Sequence, residues 1–362
     1  PEPVATTSDV LDQLTSAEQA GEGEPADNLL DYGAREERIA EIIGEILSEP
    51  EAAFQPIATL YQDFQVRCRI SKLPGGAPDL QTFREKLSVA RAGVDKGEMD
   101  DGAWAQAELI AAEHAFVVYK LMATLFGARY VEVPDPGFVH DLDAMADAIT
   151  ERTRLVFIAN PNNPTGTMVG QQAIDRFMSR VPEHVVVCFD EAYFEFLDEA
   201  PDTLKYVREG RNVCVLRTCS KIHGLAALRI GYGLASEAVA GLLQKARQPF
   251  NTNAVAQAGA LAALDDAEHV ARTREVNAEG LRFYESAFRA RGLEFVPSVA
   301  NFLLVRVGDG DAVFREMLAR GVIVRAMRSY KLPDWIRITM GTAAQNERCL
   351  EVLDQARAGA TV

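Results

Sequence analysis

Cysteine is scarce and unpatterned. Cys68, Cys188, Cys214, Cys219 and Cys349 make an odd number with no short-spaced pair, which excludes a disulfide framework or a zinc knuckle and suits a reduced, cytoplasmic compartment. Histidine is equally thin. His114, His140, His184, His223 and His269 are scattered and form no HExxH pair, so no metal is expected. No run approaches the roughly 18 apolar residues of a membrane span, and the first residues are polar and acidic rather than signal-like. Positive charge is in deficit: 37 Lys and Arg stand against 53 Asp and Glu, a formal net charge of −16. Such a field repels nucleic acid and anionic membrane, yet a few local arginines can still hold a small anion. The chain opens on Pro1, as a processed chain or a fragment would.

What is present is an ordinary globular balance, 48% hydrophobic and 25% charged over 362 residues. That length suits two domains, or one large α/β domain with an appendage. Texture divides the chain into four. Residues 1–30, rich in Glu, Ala, Ser and Gly, read as a flexible acidic segment. Residues 31–105 read as a helical module of unknown role: Ile39, Ile42, Ile43, Ile46 and Leu47 share one helical face, and Asp79 after "LPGGAP" caps a further helix. Residues 106–270 carry short β-branched runs, "ARYVEVP", "TRLVFIAN", "HVVVCFD" and "RNVCVLRT", with helical stretches between them. This alternation predicts an α/β fold with a parallel sheet covered on both faces. Residues 271–362 read as a smaller α+β domain, with a long helix, "NFLLVRV", "FREMLARG", "VIVRAM", "WIRITMG" and a closing helix.

Chemistry in such sheets collects where strands end at their carboxyl edge. Three ends stand out. "NPNNPTG" (160–166) is a turn that presents a side-chain amide; alone it reads as structural. Asp190 closes "VVVCFD"; alone it is as good a helix cap as anything else, but a carboxylate buried there needs a partner such as a protonated ring nitrogen. Lys221 follows a strand in "TCSKIHGLAALRIGYG"; most lysines are solvated cations, whereas a partly buried one has a lowered pKa and can act as an amine nucleophile. Ser220 and Arg229 beside it suit a phosphate. Taken together, an amide loop, an acidic strand end and a Ser-Lys…Arg set are what a pyridoxal phosphate site requires.

Residues 107–362 resemble the fold type I pyridoxal-phosphate aminotransferases, and within them are most similar to the histidinol-phosphate aminotransferase family. The stretches that carry the resemblance are "EHAFVVYKL", "RTRLVFIANPNNPTGTM", "VCFDEAYFEF", "LRTCSKIHGLAALRIGYG", "QPFNTNAVAQAGALAALDD", "NFLLVRV", "GVIVRAM" and "WIRITMGT", spread over roughly 70% of the chain. The resemblance implies a mostly parallel sheet flanked by helices, a smaller C-terminal domain and a pyridoxal 5'-phosphate cofactor. It implies that Lys221 is the Schiff-base lysine and proton shuttle, that Asp190 pairs the pyridine nitrogen, and that Asn163 and Tyr193 contact the phenolic oxygen. Ser220 and Arg229 would bind the cofactor phosphate, and Phe116 would stack on the ring. Arg337 would clamp a substrate carboxylate, Asn301 would line the substrate side, and Arg325 would meet a distal phosphate. The implied partners are an amino acid or phosphorylated amino alcohol, a 2-oxo acid and a second copy of the chain.

The first hundred or so residues do not share the family's pattern. Neither Tyr32 nor Tyr61 sits in a recognisable substrate-gating arm, and "LPGGAPD" leads to Asp79, whose charge would repel a phosphate. Cys219 and His223 stand where the family usually has aromatic residues. Three further readings accompany the leading one. They are an aromatic aminotransferase or phosphothreonine-type decarboxylase on the same scaffold, a non-catalytic regulatory protein on an aminotransferase core, and a DNA-binding fusion disfavoured by the acidic N-terminal part.

Overall fold

The computed structural model describes residues 106–360, apart from 247 and 249. The expected segments 1–30 and 31–105, with Tyr32, Tyr61 and Asp79, lie outside the described residues.

Six strands build the first sheet: β1 (Glu108–Ala112), β2 (Arg129–Val133), β3 (Thr153–Ala159), β4 (Val186–Asp190), β5 (Val213–Thr218) and β6 (Gly231–Ala235). Their order is β2-β1-β3-β4-β5-β6, the first five parallel and β6 antiparallel to β5. Side chains alternate across the sheet. Val187, Phe189, Val213 and Val215 face a core with Met145 of α2 (Leu142–Asp147), Ile174 and Phe177 of α3 (Gln171–Arg180) and Tyr206 of α4 (Leu204–Arg208). The other face carries Leu109, Ala111 and Ala159 against Tyr119 and Ala123 of α1 (Val118–Phe126). Both faces are therefore covered, as the apolar runs require.

Two strands escape the pattern of β-branched runs. β1 is "ELIAA", with two alanines and an acid at its start. It becomes a strand because it lies between β2 and β3 and is buried throughout; Glu108 is held there by Thr150 (2.6 Å) and Arg152 (2.8 Å). β6 is "GYGLA", whose Gly231 packs so closely that a Cβ would lie 2.6 Å from the Arg217 carbonyl oxygen. Glycine-rich sequence of this kind carries little β propensity of its own. The sheet is thus mixed at its edge rather than parallel throughout.

The second sheet is antiparallel, with order β7-β8-β10-β9, from β7 (Phe295–Val296), β8 (Phe302–Arg306), β9 (Arg325–Ala326) and β10 (Trp335–Thr339). Helices α5 (Glu237–Ala246) and α6 (Ala254–Asp265) lead to α7 (Ala267–Ala290), which starts at an Asp266 cap. The boundary expected at 270/271 falls inside α7. Tyr284 and Phe288 of α7 pack with Val313 and Met317 of α8 (Gly310–Ala319) and Val352 and Leu353 of α9 (Ala343–Ala360) onto Leu303, Val305 and Ile336.

The two sheets meet at the loop after β3. Val299 N–H donates to the Gly166 carbonyl (2.9 Å), and Gly166 has φ 75°. A Cβ there would lie 2.1 Å from Ser298 Oγ. Gly166→Ala therefore combines left-handed strain with a clash, and is expected to destabilise the protein by about 3 kcal/mol. The measurement is the urea midpoint; a midpoint unchanged from the parent would contradict this account of the loop.

Candidate active site

Parallel β3, β4 and β5 deliver their carboxyl ends side by side, so the loops that follow converge. They border a cavity of about 300 Å³. Seven of the residues singled out from sequence line it: Phe116, Asn163, Asp190, Tyr193, Lys221, Arg325 and Arg337. Ser220 and Arg229 instead line a separate open cleft of about 370 Å³, with Thr218 and Tyr232. Lys221 follows Ser220 directly in sequence but lines the first cavity. Asn301 precedes β8, where its carbonyl accepts from Met340 N–H (2.9 Å), and is not among the residues lining either hollow.

Asp190 ends β4 with two donors on its carboxylate. Tyr119 Oη–H donates to Oδ2 (2.6 Å) and Ala192 N–H to Oδ1 (3.2 Å). Burial raises its pKa, opposed by those two donors and by the charge of Lys221. Neither bonded donor is a cation, so the carboxylate retains capacity for one.

Lys221 as a whole residue is exposed. Its Nζ nevertheless lies 5.2 Å from the centre of the Tyr193 ring, and lost hydration together with the charges of Arg337 and Arg229 lowers its pKa, against the pull of Asp190. An open side chain can still end in a poorly hydrated amine. Burial pushes the Tyr193 phenol up to about 12, which keeps it a hydrogen-bond donor at neutral pH.

The other sheet supplies the cationic wall. Arg337 on β10 pairs in register with Arg325 on β9, setting two positive side chains directly opposite each other. Like charges so placed repel unless an anion lies between them. Arg337 sits over the Phe302 ring at 4.6 Å and donates to Asn163 Oδ1, while its Nε is buried without a partner. The ionisable groups that act on it are Tyr193, Tyr330 and Arg325, with no carboxylate among them. A guanidinium held ready but unpaired is what a carboxylate or phosphate ligand would complete.

Tyr119 and Tyr330 were not anticipated as lining residues. Tyr119 stands three positions after Phe116, one helical turn on, and that spacing inside "EHAFVVYKL" is the signal that could have found it. Tyr330 follows no periodic pattern. His223, two residues beyond Lys221, is buried, with neither ring nitrogen bonded and Glu195 Oε1 3.9 Å away. It does not line the cavity.

The sequence profile of the aminotransferase class I and II family matches residues 102–353. The chain belongs to that family. Among relatives of this aminotransferase, the histidinol-phosphate aminotransferase of Akkermansia muciniphila is 57% identical over 77% of this chain and 81% of its own. That share of the chain exceeds what residues 107–362 alone make up. Histidinol-phosphate aminotransferase 2 of Ralstonia nicotianae is 50% identical over 70% of this chain and 69% of its own. In solved structures, the fold matches the histidinol-phosphate aminotransferase of Sinorhizobium meliloti in complex with pyridoxal-5'-phosphate (TM-score 0.65, 23% identity, 79% of this chain and 88% of that one). It also matches that of Clostridium acetobutylicum (TM-score 0.65, 19% identity, 79% and 91%). The class I aminotransferase fold accounts for both sheets and for the order of the strand ends that build the site.

Proposed function

We infer that the chain is a pyridoxal 5'-phosphate-dependent aminotransferase that converts histidinol phosphate and 2-oxoglutarate to imidazole acetol phosphate and glutamate, a step of histidine biosynthesis. The observation that carries this reading is one cavity lined by a Lys221 amine, a half-buried Asp190 carboxylate and the opposed pair Arg325 and Arg337. The relatives' names support the substrate.

The donor set fits the cofactor. Asp190 lacks a cation in hydrogen-bond contact and would hold the ring nitrogen; the Asn163 amide and Tyr193 hydroxyl would meet the phenolic oxygen, and Phe116 the ring face. Ser220 and Arg229, which line the cleft formed by the β5–β6 segment, would hold the phosphate. When bound, pyridoxal phosphate supplies an aldehyde that links to an amine and a cationic ring that takes up the electron pair freed at the substrate's α-carbon.

The chain's own residues do the rest. Lys221 Nζ, with its lowered pKa, has more neutral amine at a given pH than an ordinary lysine, and so can accept the α-proton and return it one position further on. Asp190 must remain ionised to hold the ring cationic. Because its folded pKa is raised, that function is lost as pH falls through the raised value. Histidinol phosphate carries no carboxylate, so its phosphate is the anion offered to Arg325 and Arg337, whereas glutamate offers a carboxylate to the same pair. Asn301 is assigned to the substrate side by the resemblance alone.

The two sheets support a division into a cofactor-binding part and a smaller C-terminal part. A homodimer is supported by exposed apolar side chains on α5 and α6, among them Leu242, Val255 and Leu261. Cys188, Cys214, Cys219 and Cys349 are free and buried, which supports a cytoplasmic enzyme. Among the described residues no helix is long and apolar enough to cross a membrane.

The test is addition of pyridoxal phosphate to the purified protein. A new near-visible absorption band is expected, with glutamate forming when histidinol phosphate and 2-oxoglutarate follow. No band would sink the cofactor reading. A band without glutamate would move the substrate to an aromatic amino acid or phosphothreonine.

A further inference from the structure

α1 buries one polar atom of direct consequence for the strand end it covers. The Tyr119 side chain is almost wholly enclosed, with the residue 4% exposed. Its ring stacks on Phe157 of β3 (centroids 4.2 Å apart, planes within 4°) and meets the Phe116 ring edge-on at 5.8 Å. These contacts leave the hydroxyl little freedom, and it donates to Asp190 Oδ2 at 2.6 Å.

We propose that Tyr119 is a positioning residue for the reaction, whose hydroxyl keeps the Asp190 carboxylate ionised and turned so that its remaining lone pairs serve the cofactor ring. The proposal rests on the reading of the cavity given above and names a residue that this reading does not use. The direction of the bond is fixed by chemistry. Burial and the neighbouring Asp190 charge drive the Tyr119 phenol well above its ordinary pKa, so the phenol keeps its proton and the carboxylate accepts. A phenol of this kind stabilises the anion without becoming a competing cation, which leaves the positive charge to the ring nitrogen.

Every group that faces the pair enters the balance. On Asp190 these are Tyr119 from α1, the Ala192 N–H from its own loop and Lys221 from the turn after β5. Cys188 from β4 and Tyr130 from β2 act on Tyr119. Among the donors on Asp190, only Tyr119 comes from a separate helix, the same one whose approach holds Phe116. α1 therefore links the residue expected to cover the ring face with the one expected to hold its nitrogen.

The experiment uses Tyr119→Phe, which keeps both ring contacts, and site-specific 3-fluorotyrosine at position 119, a more acidic phenol and stronger donor. The first readout is the pH midpoint of the Asp190 carboxyl in the cofactor-free protein, followed by carbon NMR of labelled aspartate and assigned with Asp190→Asn. Loss of a hydrogen bond to a charged acceptor predicts an upward move of about one pH unit in Tyr119→Phe, about tenfold in proton affinity. Fluorotyrosine should move it downward. The second readout is the acidic limb of kcat in the loaded enzyme, which should follow the same two directions.

A midpoint shifted by less than about 0.3 unit in folded Tyr119→Phe, or a fluorotyrosine shift in the same direction as phenylalanine, overturns the proposal. If Tyr119→Phe does not fold, the sign of the fluorotyrosine shift decides alone. Failure of the unaltered protein to take up pyridoxal phosphate would overturn the reading of the cavity, while the carboxyl midpoints would still decide the role of Tyr119.

Discussion

Lys221→Ala is expected to lower turnover of histidinol phosphate by at least about 10⁴-fold, because on the proposed reading one side chain would supply both the covalent tether and the moving proton. Among the described residues, no other amine lines the cavity. His223 is the only other base within two residues, and its buried ring lines neither hollow. Asp190 already accepts from Tyr119 and Ala192 and is the group read as holding the cofactor ring. The remaining contacts survive the substitution, so the variant should still bind pyridoxal phosphate through Asp190, Ser220 and Arg229, but without the absorption band of the parent. Steady-state rates with and without bound cofactor provide the check. Residual turnover within about 100-fold of the parent would show that the proton moves by another route.

The second large effect belongs to Arg337. Arg337→Gln is expected to reduce kcat/KM for histidinol phosphate by about 10³-fold, the scale of removing one partner from a desolvated, hydrogen-bonded charge pair. Arg337→Lys should recover little, since an ammonium cannot reproduce the fork over Phe302 that also reaches Asn163. Arg325 is the internal comparison. It stands opposite on β9 but is exposed, so Arg325→Gln should cost only about tenfold, as a water-screened contact does. Equal losses at the two positions would mean that they hold the anion symmetrically. A loss confined to kcat, with KM unchanged, would place Arg337 outside substrate binding.

Much of this site was legible because its chemistry sits in short contiguous stretches at the ends of apolar runs. Asn163, Asp190 and Lys221 each follow a strand rich in β-branched residues, and parallel strands bring such ends together without further information. Arg337 and Arg325 were readable as cations but not as a pair: their opposition comes from an antiparallel register between β9 and β10, which no local pattern encodes. Tyr119 was hidden for the reverse reason. Its stretch was noticed for Phe116, and the hydroxyl acquires its role only from a carboxylate 71 residues away. β1 and β6 were missed because alanine and glycine form strands there through burial and close approach, not through propensity. Asn301 is not among the residues lining the cavity, and its expected role rests on the resemblance alone.

The antiparallel turn from β5 to β6 has a bearing on how this enzyme can vary. Residues 219–230 are closed at their base by the pairing of Thr218 with Gly231 and by Cys219 N–H to the Ile230 carbonyl (3.1 Å), and are folded back on themselves by Leu225 N–H to the Cys219 carbonyl (2.9 Å). Lys221 and Arg229 thus occupy one closed loop whose ends are bolted to adjacent strands. Such a loop accepts exchange of one side chain for another, as the presence of cysteine at 219 and histidine at 223 illustrates. It does not accept a change of length, because a single added residue would break the closure and alter the span from the amine to the guanidinium. Drift through this segment is therefore confined to the identity of its side chains rather than their spacing.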